Sequence, residues 1–257
     1  MRVLLNWVKK MIYFIMKNLT GLRRHPYYQY QWIQKMSCAS GSSKHTNHQS
    51  NIENLIGAVF ESWKHKKDPY LNSIMQEYLE ASEEHCPDGG TIWPTRPSSP
   101  PTLVDLIPST KDHPFEKQVL EALCKASDSL SWFNNNSEKW RNHPGNEGRS
   151  DISCVLVGSA MGAPLRRRAL MLGFMFVGPF NTYPLHAHAA EEAYHILAGR
   201  AWLTKNDSGP VEKIPGDVNV HQPYDPHSMV TKNDSVLVCW VNSGDMNGDY
   251  YFIDEAS

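Results

Sequence analysis

The sequence has no dominant charge, no cysteine pair and no long apolar run. It carries 25 Lys and Arg against 27 Asp and Glu, a formal net charge of -2, so no global positive field indicates a nucleic-acid partner. The five cysteines are scattered, odd in number and without a CxxC pair. This usage argues against a disulfide framework and a thiolate zinc site, and it favours a reducing, cytoplasmic compartment.

The N-terminal residues are apolar but interrupted by lysines. The longest uncharged run there, residues 11–16, is far too short to span a bilayer, so no stable membrane span is predicted. We interpret residues 1–36 as a helix packed on the domain or as sequence upstream of a start at Met36. A targeting or membrane-surface helix is the alternative. The Ser-rich residues 37–50 are typical of a flexible linker, which makes residues 1–50 an extension.

Residues 51–150 form a region of helices and loops in our interpretation. Apolar residues recur at three- and four-residue steps from Asn51 and again after Asp68, a plausible cap that precedes Pro69. Seven prolines in residues 87–114 predict an extended or looped segment. A third helix is predicted over residues 115–133, and it is followed by a loop.

Residues 151–257 have a different pattern, in which short apolar runs alternate with glycine and proline turns. This pattern predicts antiparallel strands that close into a sandwich or a small barrel able to hold one ligand. The fold class is therefore α+β, mainly β, with a helical extension before the barrel.

The barrel region contains PLHAHAAEEAYHILAG at residues 184–199. Side chains two apart on a strand share a face, so His186 and His188 point together, as do Glu192 and Tyr194, while Glu191 and His195 point outward. The segment PGDVNVHQPYDPHSM adds His221 and His227. Two or three imidazoles with one carboxylate suit one divalent transition metal, such as Fe, Mn, Ni, Co or Zn.

These spacings resemble the two motifs of the cupin superfamily. The first motif matches His186, His188, Glu192 and Gly199, and the second matches Gly216 and His227. Pro223 is one place late, the glycine expected after it is replaced by Asp225, and Thr231 stands where the motif ends in Asn. The resemblance implies a jelly-roll barrel with His186, His188, Glu192 and His227 as metal ligands. His221 has no motif position, and we interpret it as a residue behind the ligands or at the surface.

The tyrosine two residues after Glu192 narrows the resemblance. HxHxxxExY followed by PHxM, with a helical N-terminal half, is similar to the cupin-type dimethylsulfoniopropionate (DMSP) lyases. The resemblance implies a carbon–sulfur lyase that eliminates dimethyl sulfide from DMSP and leaves acrylate. A metal on the substrate carboxylate would stabilise the developing charge. Because a nearby cation favours a phenolate, Tyr194 is the candidate base for the α-proton.

The leaving group is a sulfonium cation, which aromatic faces attract. We expect Tyr183, Tyr224 and Trp240 to bind the substrate, with Trp202 as a further candidate. A cupin Fe(II) dioxygenase would use the same ligands and consume oxygen, and a non-catalytic, ligand-sensing cupin is the other alternative. The sequence is compatible with a homodimer but does not decide the oligomeric state.

Overall fold

The structure is a computed structural model, and it describes residues 44–80, 101–134, 142, 146, 151–159, 170–245 and 248–253. The predictions for residues 1–43 lie outside the described residues. No helix in the described part of the chain is long and apolar enough to cross a membrane.

In the described residues, three α-helices precede the strands: α1 (Lys44–Lys66), α2 (Pro69–Glu80) and α3 (Pro114–Ala126). Asp68 caps α2 as predicted, because its Oδ1 accepts the amide of Leu71 at 3.0 Å. The first helix begins at Lys44, within the predicted linker, and not at Asn51. The division of the chain at residues 50 and 150 stays a prediction.

The third predicted helix is too long. The α-helix ends at Ala126, and a short 3-10 helix, Ser127–Ser129, follows it. The Ser127 hydroxyl accepts the indole N–H of Trp132 at 3.2 Å, a local contact that competes with further helix. Of the proline-rich segment predicted to be extended or looped, residues 87–100 lie outside the described residues, and the described part contains a 3-10 helix, Val104–Thr110.

Within the part of the chain that the structure describes, eleven strands form two antiparallel sheets, in agreement with the predicted barrel-like β region. They are β1 (Phe133–Asn134), β2 (Ile152–Ser159), β3 (Leu170–Val177), β4 (Thr182–His188), β5 (Ala190–Gly199), β6 (Ala201–Lys205), β7 (Val211–Lys213), β8 (Val218–His221), β9 (His227–Val230), β10 (Val236–Gly244) and β11 (Tyr250–Phe252). The larger sheet has the order β1-β2-β3-β10-β5-β8, and the smaller one β11-β4-β9-β6-β7.

The larger sheet is buried on both faces. Its outer face packs against the helices, where Trp63, Leu120 and Leu123 meet Phe174, Leu237 and Val241. Its inner face packs against the smaller sheet, so that Met175, Val238 and Trp240 meet Leu203 and Met229. Alternate residues of one strand therefore serve two different cores, as the two-residue period of a strand requires. The predicted α+β, mainly β, class is confirmed.

Candidate metal centre

The four predicted metal ligands lie together inside the barrel. His186 and His188 come from β4, Glu192 from β5 and His227 from the first position of β9. Each is at most 8% exposed, and the four ligand atoms lie within 4.8 Å of one another. Residues that are distant in sequence meet here because β4 pairs with β9, which places His186 opposite His227.

The imidazole rings of the three candidate ligands are each held through Nδ1. Each Nδ1 lies 2.8 to 2.9 Å from a backbone carbonyl two residues away, namely those of Pro184, Ala190 and Asp225. A carbonyl can only accept a hydrogen bond, so in each neutral ring Nδ1 carries the proton and Nε2 keeps its lone pair. Metal-binding histidines are usually held in this way.

The Nε2 atoms converge on one carboxylate oxygen. Glu192 Oε2 lies 3.2 Å from Nε2 of His188 and 3.1 Å from Nε2 of His227. Two ligands that are each about 2.1 Å from a metal ion lie roughly 3 Å apart, so these separations fit a shared ion. Burial would raise the pKa of Glu192, but the close approach of the histidines around it, His188, His221 and His227, outweighs burial and holds that pKa well below its ordinary value.

The charge of the cluster also fits a cation. Burial, together with His227 and His188, lowers the pKa of His186 well below its ordinary value, which keeps this imidazole neutral. At His188 burial is outweighed by the neighbouring Glu192 carboxylate, which raises the pKa, and a cation bound between the two would take the place of that proton. Neutral imidazoles and an ionised carboxylate are the donors that divalent transition metals take. The residues present therefore fit the group that the sequence predicts.

Tyr194 lies on the same inner face as Glu192 and is 2% exposed. Its ring meets the rings of His221 and His227 edge-on, with centroids 5.0 and 5.8 Å apart. The predicted base thus borders the cluster.

Of the predicted substrate-binding residues, two are inside the barrel and one is at its surface. Tyr183 is 5% exposed, and its ring lies 4.9 Å from that of His186. Trp240 is 6% exposed and pairs with Tyr194 across β10 and β5. Tyr224 is 47% exposed, although its amide donates to the carbonyl of His188 at 2.8 Å. Trp202, by contrast, contacts Lys232, whose Nζ is 3.8 Å from its ring centroid.

Sequence reasoning missed Tyr250. Its ring stacks on those of His186 and His188, with centroids 5.1 and 5.8 Å apart. Burial raises the pKa of this phenol well above its ordinary value, and Tyr183 and Glu192 raise it further. The alternation of Tyr250 and Phe252 in the last strand was the available signal, since these residues pair with His188 and His186 on β4.

Two histidines outside the ligand set are buried. His195 points out of the barrel as predicted, but it is 1% exposed because α3 covers it, and its Nε2 lies 3.1 Å from Glu116. His221 is 1% exposed and is not a surface residue. In the turn before His227, Tyr224 has a left-handed backbone with φ of 65°.

Comparison with known proteins adds the family. Residues 102–238, more than half of the chain, match the sequence model of the dimethylsulfoniopropionate lyase family. The chain belongs to the DMSP lyase family. It is accordingly an enzyme of the carbon–sulfur lyase class. No curated protein sequence matches the chain.

Two solved structures of DMSP lyases share the fold of this chain. A crystal structure described as the DMSP lyases RdDddP and RnDddQII is 16% identical, covers 80% of this chain and 100% of its own, and has a TM-score of 0.58. The DMSP lyase DddQ from Ruegeria pomeroyi DSS-3 is 21% identical, covers 79% and 96% of the two chains, and has the same TM-score of 0.58. A cupin-2 domain from Rhodospirillum rubrum is 18% identical over 49% of this chain and 76% of its own, with a TM-score of 0.38.

The residues matched by the DMSP lyase family model include the four candidate metal ligands and Tyr194. The match ends at residue 238, so Trp240 and Tyr250 lie beyond it. These two aromatic residues reach the centre through strand pairing, Trp240 beside Tyr194 and Tyr250 beside His188.

Proposed function

We propose that the chain is a metal-dependent DMSP lyase that converts DMSP into dimethyl sulfide and acrylate by β-elimination. The observation that carries the proposal is the position of Tyr194 on the same inner face as Glu192, at the border of a buried cluster of three histidines and one glutamate. Family membership supports the choice of substrate.

His186, His188, Glu192 and His227 would hold one divalent metal ion, drawn from Fe, Mn, Ni, Co and Zn. Bound there, such an ion supplies Lewis-acid stabilisation of negative charge on the substrate carboxylate. The protein fixes the donors for this task through the three Nδ1–carbonyl hydrogen bonds, which leave Nε2 unprotonated.

Tyr194 accepts the proton in this mechanism. Its phenolate oxygen takes the α-proton, the C–H electron pair forms the new carbon–carbon double bond, and the carbon–sulfur bond breaks. Sulfur leaves with that bond's electron pair as neutral dimethyl sulfide, and the remaining carbons leave as acrylate. No oxidant or second substrate is needed. A positioned base contributes typically 10²- to 10⁴-fold to such a proton transfer.

Aromatic faces hold the sulfonium group. Tyr183 and Trp240 lie on the barrel interior near the cluster, and cation–π attraction to such rings is strongest where water is excluded. We assign Tyr224 to the rim, since its backbone contacts His188 while its side chain is about half exposed. We further propose a cytoplasmic location, in keeping with cysteines that are scattered in the sequence, odd in number and without a CxxC motif.

Headspace measurement of dimethyl sulfide tests the proposal. Purified protein with added Fe(II), Mn(II), Ni(II), Co(II) or Zn(II) should release dimethyl sulfide from DMSP. Tyr194→Phe should reduce turnover by about 10²-fold or more while the protein keeps its metal. Tyr251→Phe is the matched control, because Tyr251 is 46% exposed and its substitution should leave turnover unchanged.

No dimethyl sulfide with any of the five metals would contradict the lyase assignment. Normal turnover in Tyr194→Phe would remove this residue from the mechanism and leave the metal site standing.

A further inference from the structure

The inner face of the larger sheet carries two cross-strand rows of side chains next to the cluster. The register of β3, β10, β5 and β8 places Met171, Asn242, Glu192 and His221 in one row. The neighbouring row consists of Gly173, Trp240, Tyr194 and Asn219. His221 is therefore the direct neighbour of Glu192 and lies diagonally across from Tyr194.

His221 is held firmly by its surroundings. It is 1% exposed, and its ring stacks on that of His227 with centroids 3.9 Å apart and planes 14° apart. Its Nε2 lies 2.6 Å from the side-chain nitrogen of Asn219. An amide nitrogen only donates, so Nε2 accepts this bond and the proton of the neutral ring is on Nδ1.

That Nδ1–H points to the centre and has no hydrogen-bond partner among the described residues. It lies 3.8 Å from Glu192 Oε2, which is too long for a hydrogen bond, and this oxygen already has His188 and His227 within 3.2 Å. A buried donor without an acceptor is costly, so such groups usually have a partner in the working protein. On the other side of Glu192, Asn242 Oδ1 is likewise buried and without a partner in the described part of the chain.

We propose that His221 is a substrate-binding residue whose Nδ1–H donates a hydrogen bond to the carboxylate of the substrate. This proposal rests on the proposed function, because the substrate of that function brings a carboxylate to the metal centre. An anionic oxygen placed beside Glu192 meets the repulsion of a second carboxylate, and a hydrogen-bond donor at this position offsets it. The same bond strengthens as removal of the α-proton moves charge onto the carboxylate oxygens.

The test measures binding separately from turnover. Acrylate serves as the carboxylate probe, and its dissociation constant for the Zn-loaded protein is measured by calorimetry. His221→Phe keeps a planar ring against His227 and removes the donor. We expect it to weaken acrylate binding about tenfold or more, the usual loss for a hydrogen bond to a charged group, and to change Zn²⁺ affinity by less than about threefold.

Two further variants control the experiment. His221→Gln keeps an N–H donor and should restore acrylate affinity to within a few-fold of the parent, whereas His221→Leu should behave as His221→Phe. If His221→Phe fails to fold, the comparison of His221→Gln with His221→Leu carries the test. His65→Phe makes the same substitution at a histidine whose side chain is 49% exposed, and it should bind acrylate as the parent does.

Unchanged acrylate affinity in His221→Phe would overturn the proposal. A loss of Zn²⁺ affinity of about tenfold or more would also overturn it, because His221 would then act on the metal. Failure of the proposed function has a different result: the parent releases no dimethyl sulfide, while the difference in acrylate binding between the parent and His221→Phe persists.

Discussion

A buried ion-pair network between the helices and β5 makes a quantitative prediction. Glu116 on α3 is 2% exposed, and its Oε1 lies 2.6 Å from Lys66 Nζ, 3.1 Å from His195 Nε2 and 3.4 Å from the hydroxyl of Ser62. Burial alone would raise the pKa of this carboxyl, but the hydrogen bonds from His195 and Lys66 outweigh burial and lower it from 4.5 to about 2. The folded state therefore favours the ionised form.

The size of the effect follows from that shift. A carboxyl whose pKa is lower in the folded state stabilises the protein above pH 4.5, and this contribution disappears as the pH falls from 4.5 towards 2. A pKa that is lower by about 2.5 in the folded state stabilises the protein by about 3 kcal/mol at pH 7. At pH 3.5 this stabilisation decreases to about 2 kcal/mol. Glu116→Gln mimics the protonated carboxyl and should lower the free energy of unfolding by these amounts.

Urea unfolding at both pH values provides the measurement. Tryptophan fluorescence is a suitable signal, since Trp63 and Trp132 are buried in the helical layer. Glu121→Gln, at a partly exposed glutamate on the same helix that pairs with Lys117, is the matched control and should change the free energy of unfolding far less, because solvent screens an exposed pair. The reasoning is refuted if Glu116→Gln costs no more than this control at pH 7, or if its cost does not decrease in acid.

Three other changes test the packing and the chemistry. Gly173→Ala should lower the thermal midpoint and reduce the free energy of unfolding by roughly 1–3 kcal/mol, because the new Cβ would lie 2.5 Å from the ring of Trp240. Gly209→Ala is the control and should leave the thermal midpoint unchanged, because there is open space around its Cβ. Tyr70→Phe should cost about 1 kcal/mol in urea unfolding, because it removes the hydroxyl that lies 3.0 Å from Ser243 Oγ and 3.3 Å from the carbonyl of Glu191. Dimethyl sulfide release should be the same with and without oxygen; a requirement for oxygen would favour the dioxygenase alternative.

The period of the strands was the reliable signal in the sequence. It predicted which residues share a face, and the structure places Glu192 and Tyr194 on the inner face of β5 and His195 on the outer one. It could not predict what covers each face. His195 was predicted to point outward, as it does, but its burial could not be predicted, because the packing of α3 over β5 joins residues 79 positions apart.

Long-range pairing also explains why Tyr250 and His221 were not assigned. Tyr250 reaches the centre through the pairing of β11 with β4, and His221 through the pairing of β8 with β5. Both strands have only three or four residues, so the alternation of Tyr250 and Phe252 was a weak signal and could not indicate which strand these residues would pair with. Neither residue occupies a position in the motif that identified the four ligands.

The two faces of β5 together fix its register. A slip of one residue would turn His195 towards the metal cluster and Tyr194 towards the helices, because the side-chain period of a strand is two. It would also break the bond between His195 and Glu116, and leave that carboxylate with Lys66 and Ser62. The buried pair on the outer face therefore opposes the one arrangement that would remove both Glu192 and Tyr194 from the centre. For this reason we regard the helical layer as part of what positions the site, although it contributes no ligand to it.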